Sequence, residues 1–230
     1  MSIRVFITGA NRGLGLELVR QYLDQGARVF AGAREPHSQE LLQLLQKHPA
    51  QLSLIPLEVT RAPEVQAAVA TVQAQVSGLD LLINNAGIGS RGIGLGKYES
   101  DIMLKVLHVN AVAPILIGQA FLQLLRNGHT PKLVNISSQV GSFGWNHSGM
   151  SPLYAASKAA LNMYTRSLSR EATGLITIAV HPGWVQTDMG GNTAPLTPQE
   201  SVQHLRTLFA RLTPADNGQF FNYDGKPHPW

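Results

Sequence analysis

The 230-residue sequence contains no cysteine. Disulfides, thiolate zinc sites and thiol nucleophiles are therefore excluded. Charge is sparse as well, with Asp, Glu, Lys and Arg together making up 14% of the chain. Beside 44% hydrophobic residues, that composition belongs to a folded globular protein rather than a disordered one. The net charge is +4, but no two of the 18 basic residues are adjacent. The clustered basic face of a nucleic-acid binder is missing, and the excess suits an anionic ligand instead. Long apolar runs are also absent. The most apolar stretch, VNAVAPILIGQAFLQLL, is broken by Asn110, Pro114 and Gln119 and reads as a core helix rather than a membrane span. The opening MSIRVFITGANRG has too short an apolar run for a signal peptide. No H-E-x-x-H or similarly tight His/carboxylate cluster occurs, so no metal is expected. No G-x-S-x-G occurs either, which argues against a serine hydrolase. The expectation is a cytoplasmic protein with no nucleic-acid or membrane partner.

What the sequence does contain is a regular alternation. Apolar runs at IRVFITG, ARVFAGA, QLSLIPLEV, LDLLINNAG, PKLVNISS, GLITIAVHPG and GQFFNYDG read as strands. Between them lie segments of helical period. The first is LGLELVRQYLDQG, which ends at Gly26 as a helix should. Another runs from about Ser100 to Arg126, with a disturbance expected at Pro114. In SPLYAASKAALNMYTRSLSREAT, Ser151 is the expected N-cap and Pro152 the first helical residue. Alternating β and α units imply one doubly wound, Rossmann-like parallel sheet of about seven strands, with helices on both faces. Residues 1–230 are read as a single domain.

Two glycine clusters compete for a dinucleotide's pyrophosphate. GIGSRG at 87–92 matches G-x-G-x-x-G to the letter, but no helix-opening apolar period follows it. TGANRGLG, with Gly9, Gly13 and Gly15, has the poorer spacing and the better setting. A strand precedes it, and a periodic helix opens inside it. Glycines let the backbone approach a phosphate, and the helix N-terminus offers free N–H groups. The pyrophosphate is therefore placed at Gly9–Gly15, along with Asn11, Arg12 and Leu14. The 87–96 loop is expected to border the active-site mouth and to move. Ile88 and Ile93 are candidates to contact substrate there.

An acid at the end of the second strand would hold a ribose 2′-hydroxyl and repel a 2′-phosphate. Here Ala33 occupies that place and Arg34 follows it. Glu35 is assigned to a solvent-facing turn just beyond. Arg12 and Arg34 suit a bidentate grip on phosphate, so NADP(H) is expected rather than NAD(H).

Tyr154 and Lys158 are four apart on a predicted helix and share a face. A neighbouring ammonium favours a phenolate and lowers its pKa. Together with TGANRGLG, the NNAG at 84–87, Asn110, the Ser137–Ser138 pair and HPGWVQT at 181–187, this order of motifs resembles the short-chain dehydrogenase/reductase family along essentially the whole chain. PGWVQTDMGG and FFNYDGKPHPW look similar to the carbonyl-reductase-like branch that includes sniffer and C-factor-like proteins.

That resemblance implies the following roles. Tyr154 is the general acid in carbonyl reduction. Lys158 lowers its pKa and binds the nicotinamide ribose. Ser138 holds the substrate oxygen, and Asn110 holds a water that relays protons from Lys158. Asn85, Ala86 and Gly87 line the adenosine side, with Glu58 and Val59 near adenine, where many relatives have Asp before Val. Pro182, Gly183, Val185 and Thr187 border the nicotinamide, Thr187 holding its carboxamide. Phe143, Trp145, His147, Trp184 and Met189 either line the pocket or pack structurally. The implied protein is an NADPH-dependent oxidoreductase acting on a small carbonyl, or on the corresponding alcohol, as a homo-dimer or tetramer. The alternative is a C-factor-type nucleotide sensor with little or no turnover.

Overall fold

Along the first strand, β1 (Arg4–Thr8), Val5 and Ile7 enter one apolar cluster and Phe6 enters another. Alternation into two buried layers is the mark of a strand covered on both faces. The computed structural model describes residues 2–90, 92–145 and 151–230. Six further strands join β1 in one parallel sheet: β2 (Arg28–Ala33), β3 (Leu52–Pro56), β4 (Leu81–Asn84), β5 (Lys132–Ile136), β6 (Ile176–His181) and β7 (Phe220–Asn222). Their order is β3-β2-β1-β4-β5-β6-β7, the seven-stranded doubly wound sheet that the alternation implied.

The helices, in chain order, are α1 (Gly13–Asp24), α2 (Gln39–Lys47), α3 (Ala62–Gln73), α4 (Ser100–Leu107), α5 (Ala113–Ala120), α6 (Leu122–Arg126), α7 (Pro152–Glu171) and α8 (Pro198–Arg211). Leu18, Val19 and Leu23 of α1, Leu41 of α2 and Val202, Leu205 and Phe209 of α8 bury against one face. Val65, Val69 and Val72 of α3 and Ala113 and Ile117 of α5 bury against the other. By length and composition alone, Ser100–Ala120 could cross a bilayer. Here Val109, Ala113 and Ile117 instead pack beside Phe6 and Phe30 of the sheet, the place of a core helix.

The chain reverses its direction of winding between β1 and β4, which pair through Val5–Leu81, Phe6–Leu82 and Ile7–Ile83. The carboxyl edge at such a reversal is where ligands settle in open α/β sheets. The opposite edge is locked. The Asp80 carboxylate accepts from the Arg4 amide (2.8 Å), from its guanidinium (2.9 and 2.7 Å) and from the His129 amide (2.7 Å). Arg4 and its hydrogen bonds hold the Asp80 carboxyl below its ordinary value, against a burial effect of the opposite sign.

Three local expectations need correction. The helical segment 100–126 is disturbed one turn earlier than Pro114, as a π-turn at His108–Val112. Proline lacks an amide proton, and its ring crowds the carbonyl four residues back. That residue is Asn110. The third strand ends at Pro56 rather than Val59, although the Leu57 amide still donates to Ala33 O at 2.9 Å. The last strand is only Phe220–Asn222, because the chain turns at once and the Gly225 amide donates back to Asn222 O at 2.9 Å.

Candidate active site

The glycine turn between β1 and α1 is held by β4. Asn85 Nδ2 donates to Thr8 O (2.9 Å) and Gly9 O (3.1 Å), while the Asn85 and Ala86 amides donate to Thr8 Oγ1 (both 3.0 Å). No side chain fits at either of two glycines. Gly9 has φ +65°, and a Cβ there would lie 2.9 Å from Ala86 Cα. A Cβ at Gly15 would lie 2.1 Å from Gly9 O. The two strands' loops are thus packed backbone to backbone. Arg12, the N-cap of α1, makes no side-chain capping bond, so the first amides of the helix meet no cap oxygen. This is the donor set that an anionic phosphate needs. The residues present therefore fit a dinucleotide.

A cleft of about 430 Å³ opens above this turn. Gly9, Asn11, Arg12, Gly13, Leu14 and Gly15 line it together with Asn85, Ala86 and Gly87. At one end lie Ala33, Arg34, Glu58 and Val59. Arg34 is exposed, and its guanidinium stands 3.8 Å from Glu58. Glu35 is exposed and does not line the cleft. Lys105, His108 and Thr60 also line it, and no sequence pattern had singled them out. The other end holds Tyr154, Lys158, Pro182, Thr187 and Met189. Gly183 and Val185 are not on the lining. Val185 is buried, and its carbonyl accepts from Thr187 Oγ1 at 3.4 Å.

The reactive groups meet where β5 delivers its last residues to α7. The stripe Lys158, Asn162 and Thr165, at helical spacing, is buried and bonded to β5 and the residues just after it. Lys158 Nζ donates to Ile136 O at 2.8 Å. Ser137 Oγ donates to Asn162 Oδ1 at 2.5 Å, and Asn135 Nδ2 donates to Thr165 Oγ1 at 2.9 Å. Ser137 thereby serves as scaffold. Ser137 lines the cleft, and Ser138, which does not, is hydrogen-bonded to the Tyr154 side chain. Its Oγ also accepts from the Val140 amide at 3.4 Å.

Burial pushes the Tyr154 phenol up to about 12, only partly offset by the Ser138 hydrogen bond. It also pushes the Lys158 ammonium down to about 8. The expected lowering of the tyrosine by its neighbour does not appear. The ammonium lies 5.7 Å from the ring centroid and donates to Ile136 instead, so desolvation prevails. At neutral pH the phenol keeps its proton.

Asn110 sits in the π-turn and is fully buried. Its Oδ1 accepts from the Ile88 amide (2.8 Å), and its Nδ2 donates to Ile88 O (2.8 Å) and Ser157 Oγ (3.0 Å). Arg12 pairs across the cleft mouth with Asp188 at 2.8 Å. Around the mouth, Phe143 is 93% exposed and so does not pack structurally. Trp184 is exposed, with its indole N–H donating to Gly190 O at 2.8 Å. The Trp145 amide donates to Ser142 Oγ at 3.1 Å. His147 lies outside the described residues. Ile88 lines the cleft, whereas Ile93 lines a separate hollow beside Pro152.

Sequence and structure comparisons agree with this geometry. Residues 4–196 match the short chain dehydrogenase family. This chain belongs to that family. Its relatives include C-signal of Myxococcus xanthus, 39% identical over 154 residues that span 66% of this chain and 93% of that protein. Among solved structures, the NADPH-bound carbonyl reductase from chicken fatty liver superposes with a TM-score of 0.91 at 38% identity, and each chain is covered completely. Carbonyl reductase Sniffer of D. melanogaster superposes at 0.94 with 32% identity, again over the whole of both chains. Thr8, Ser157 and Asp188 were missed by sequence reasoning. A threonine just before a glycine turn was a usable signal for Thr8. Nothing local marks the other two.

Proposed function

We propose that this oxidoreductase reduces a small carbonyl compound, an aldehyde, ketone or quinone, with NADPH. The observation that carries the reading is Tyr154, hydrogen-bonded to Ser138, in the same cleft as Lys158, the glycine turn and Arg34. Bound NADPH would supply the hydride. The amides opening α1 would hold its pyrophosphate, and Arg34 with Arg12 its 2′-phosphate. Ser138 and Tyr154 would offer their two hydroxyls to the substrate oxygen as it gains negative charge. Tyr154 Oη gives up its proton there. Lys158, charged below about pH 8, stabilises the resulting phenolate.

A second reading, nucleotide sensing with little turnover, is favoured by the 39% identity to C-signal. Purified protein mixed with NADPH and a panel of aldehydes, ketones and quinones separates the two. Consumption of NADPH that depends on the carbonyl is expected. Tight NADPH binding with no consumption for any member would favour the sensor.

A further inference from the structure

One residue of the GIGSRG segment is deeply buried. Ser90 is 3% exposed, although Gly92, Gly94 and Gly96 just beyond it stand in open space. Ser90 Oγ accepts a hydrogen bond from the Tyr154 amide at 3.0 Å and shares another with Ser151 Oγ at 2.9 Å.

Tyr154 is the third residue of α7, and the N-cap hydroxyl of a helix ordinarily takes the amide of its second or third residue. Ser151 stands at that N-cap, but its backbone is left-handed (φ 42°, ψ 70°) and its side chain makes no capping bond. The expected serine cap is therefore in place by position and not by function. Pro152 has no amide proton, and the Ala155 amide reaches Ser151 O at 3.0 Å. The Tyr154 amide is left to a donor–acceptor pair that spans 64 residues.

The carbonyl side of Tyr154 is tied to the same loop. Ser157 Oγ donates to Tyr154 O at 2.7 Å. Asn110 Nδ2 donates to Ser157 Oγ at 3.0 Å, and Asn110 is bonded in both directions to the Ile88 backbone. One loop therefore reaches both sides of the tyrosine that carries the chemistry: Ser90 takes its N–H directly, and Ile88 connects to its C=O through Asn110 and Ser157.

We propose that Ser90 is a positioning residue: its hydroxyl caps α7 from outside the helix and fixes Tyr154 against Ser138. This rests on the reading of Tyr154 as proton donor. Without the cap, the first turn of α7 is free to fray, and a displacement of about 1 Å at a reacting group costs on the order of a hundredfold in rate.

The test compares the full chain with Ser90→Ala and Ser90→Thr variants, under saturating NADPH. For Ser90→Ala we expect kcat to fall about tenfold, a partial loss on that scale, with NADPH Kd and substrate KM unchanged. Ser90→Thr keeps the oxygen and should recover most of the rate. Hydrogen exchange of the Tyr154 amide is the independent readout: protected in the parent, exposed in Ser90→Ala, protected again in Ser90→Thr. An unchanged kcat in Ser90→Ala would overturn the proposal, as would a loss shared equally by kcat and NADPH affinity. Should Ser90→Ala not fold, a fast-exchanging Tyr154 amide in the parent protein overturns it alone. A parent that consumes no carbonyl sinks the reductase reading, and the cap is then judged on the amide.

Discussion

Arg12 Nη1 lies 2.8 Å from Asp188 Oδ2, an ion pair that joins the glycine turn to the loop after β6 across the mouth of the cleft. Both side chains are largely exposed, so the pair is worth about 1 kcal/mol or less. It competes with any phosphate that Arg12 would hold. Asp188→Asn is expected to lower the KM for NADPH by up to about fivefold while leaving NADH nearly unchanged. Initial rates with both cofactors check this, and the effect should shrink as salt is raised.

Arg34 follows directly after the last residue of β2, where an acid would select the unphosphorylated ribose. Its one ion pair among the described residues is the long contact to Glu58 at 3.8 Å, which leaves most of its donors for a phosphate. A charge-assisted hydrogen bond contributes roughly 1.5–3 kcal/mol. Arg34→Ala is therefore expected to cut the NADPH-to-NADH ratio of kcat/KM by about 10–100-fold. An unchanged ratio would remove Arg34 from the cofactor site.

The pH dependence of reduction should report Lys158 rather than Tyr154. Burial holds the lysine at about 8 and the phenol at about 12. Below pH 8 the ammonium is present and kcat is expected to be level. As pH rises through about 8 the ammonium is lost, and the rate should fall by roughly tenfold per pH unit while the phenol is still protonated. Lys158→Arg, which keeps its charge, should abolish that break even if its rate is lower throughout.

His181 gives a stability signature of its own. It is buried at the end of β6, and its Nδ1 has no hydrogen-bond partner among the described residues. Burial, and secondarily His228, lowers it from 6.5 to about 4. In that interval the unfolded chain binds a proton that the folded protein refuses, so stability is full above pH 6.5 and falls as pH drops toward 4. The loss is on the order of 3 kcal/mol. Urea midpoints between these limits should fall less steeply for His181→Asn.

What the sequence disclosed is what is local in it. The i,i+4 spacing of Tyr154 and Lys158, and the strand–glycine–helix order around Gly9–Gly15, each lie within a dozen residues. The period of the apolar residues carried the sheet. The contacts that organise the site join distant segments. Arg12 and Asp188 are 176 residues apart, and Ser90 and Tyr154 are 64 apart. No spacing rule links such pairs. The π-turn that presents Asn110 was half legible, since Pro114 announced a break but not that it would fall one turn earlier. The direction of the Tyr154 shift was misjudged because desolvation is a property of the packed site, whereas the charge of Lys158 can be read from a letter. GIGSRG, the sharper pattern, packs Gly87 beside Asn110 and Lys158 and turns its serine hydroxyl to the Tyr154 amide of α7.

The central claim is that Tyr154 delivers the proton to a carbonyl oxygen. Its most direct test is Tyr154→Phe, with NADPH affinity and carbonyl-dependent NADPH consumption measured on the same preparation. Removing a general acid costs about 10²–10⁴-fold. The account requires a loss of kcat in that range, with NADPH Kd within about twofold of the parent. Turnover that survives the substitution would contradict it.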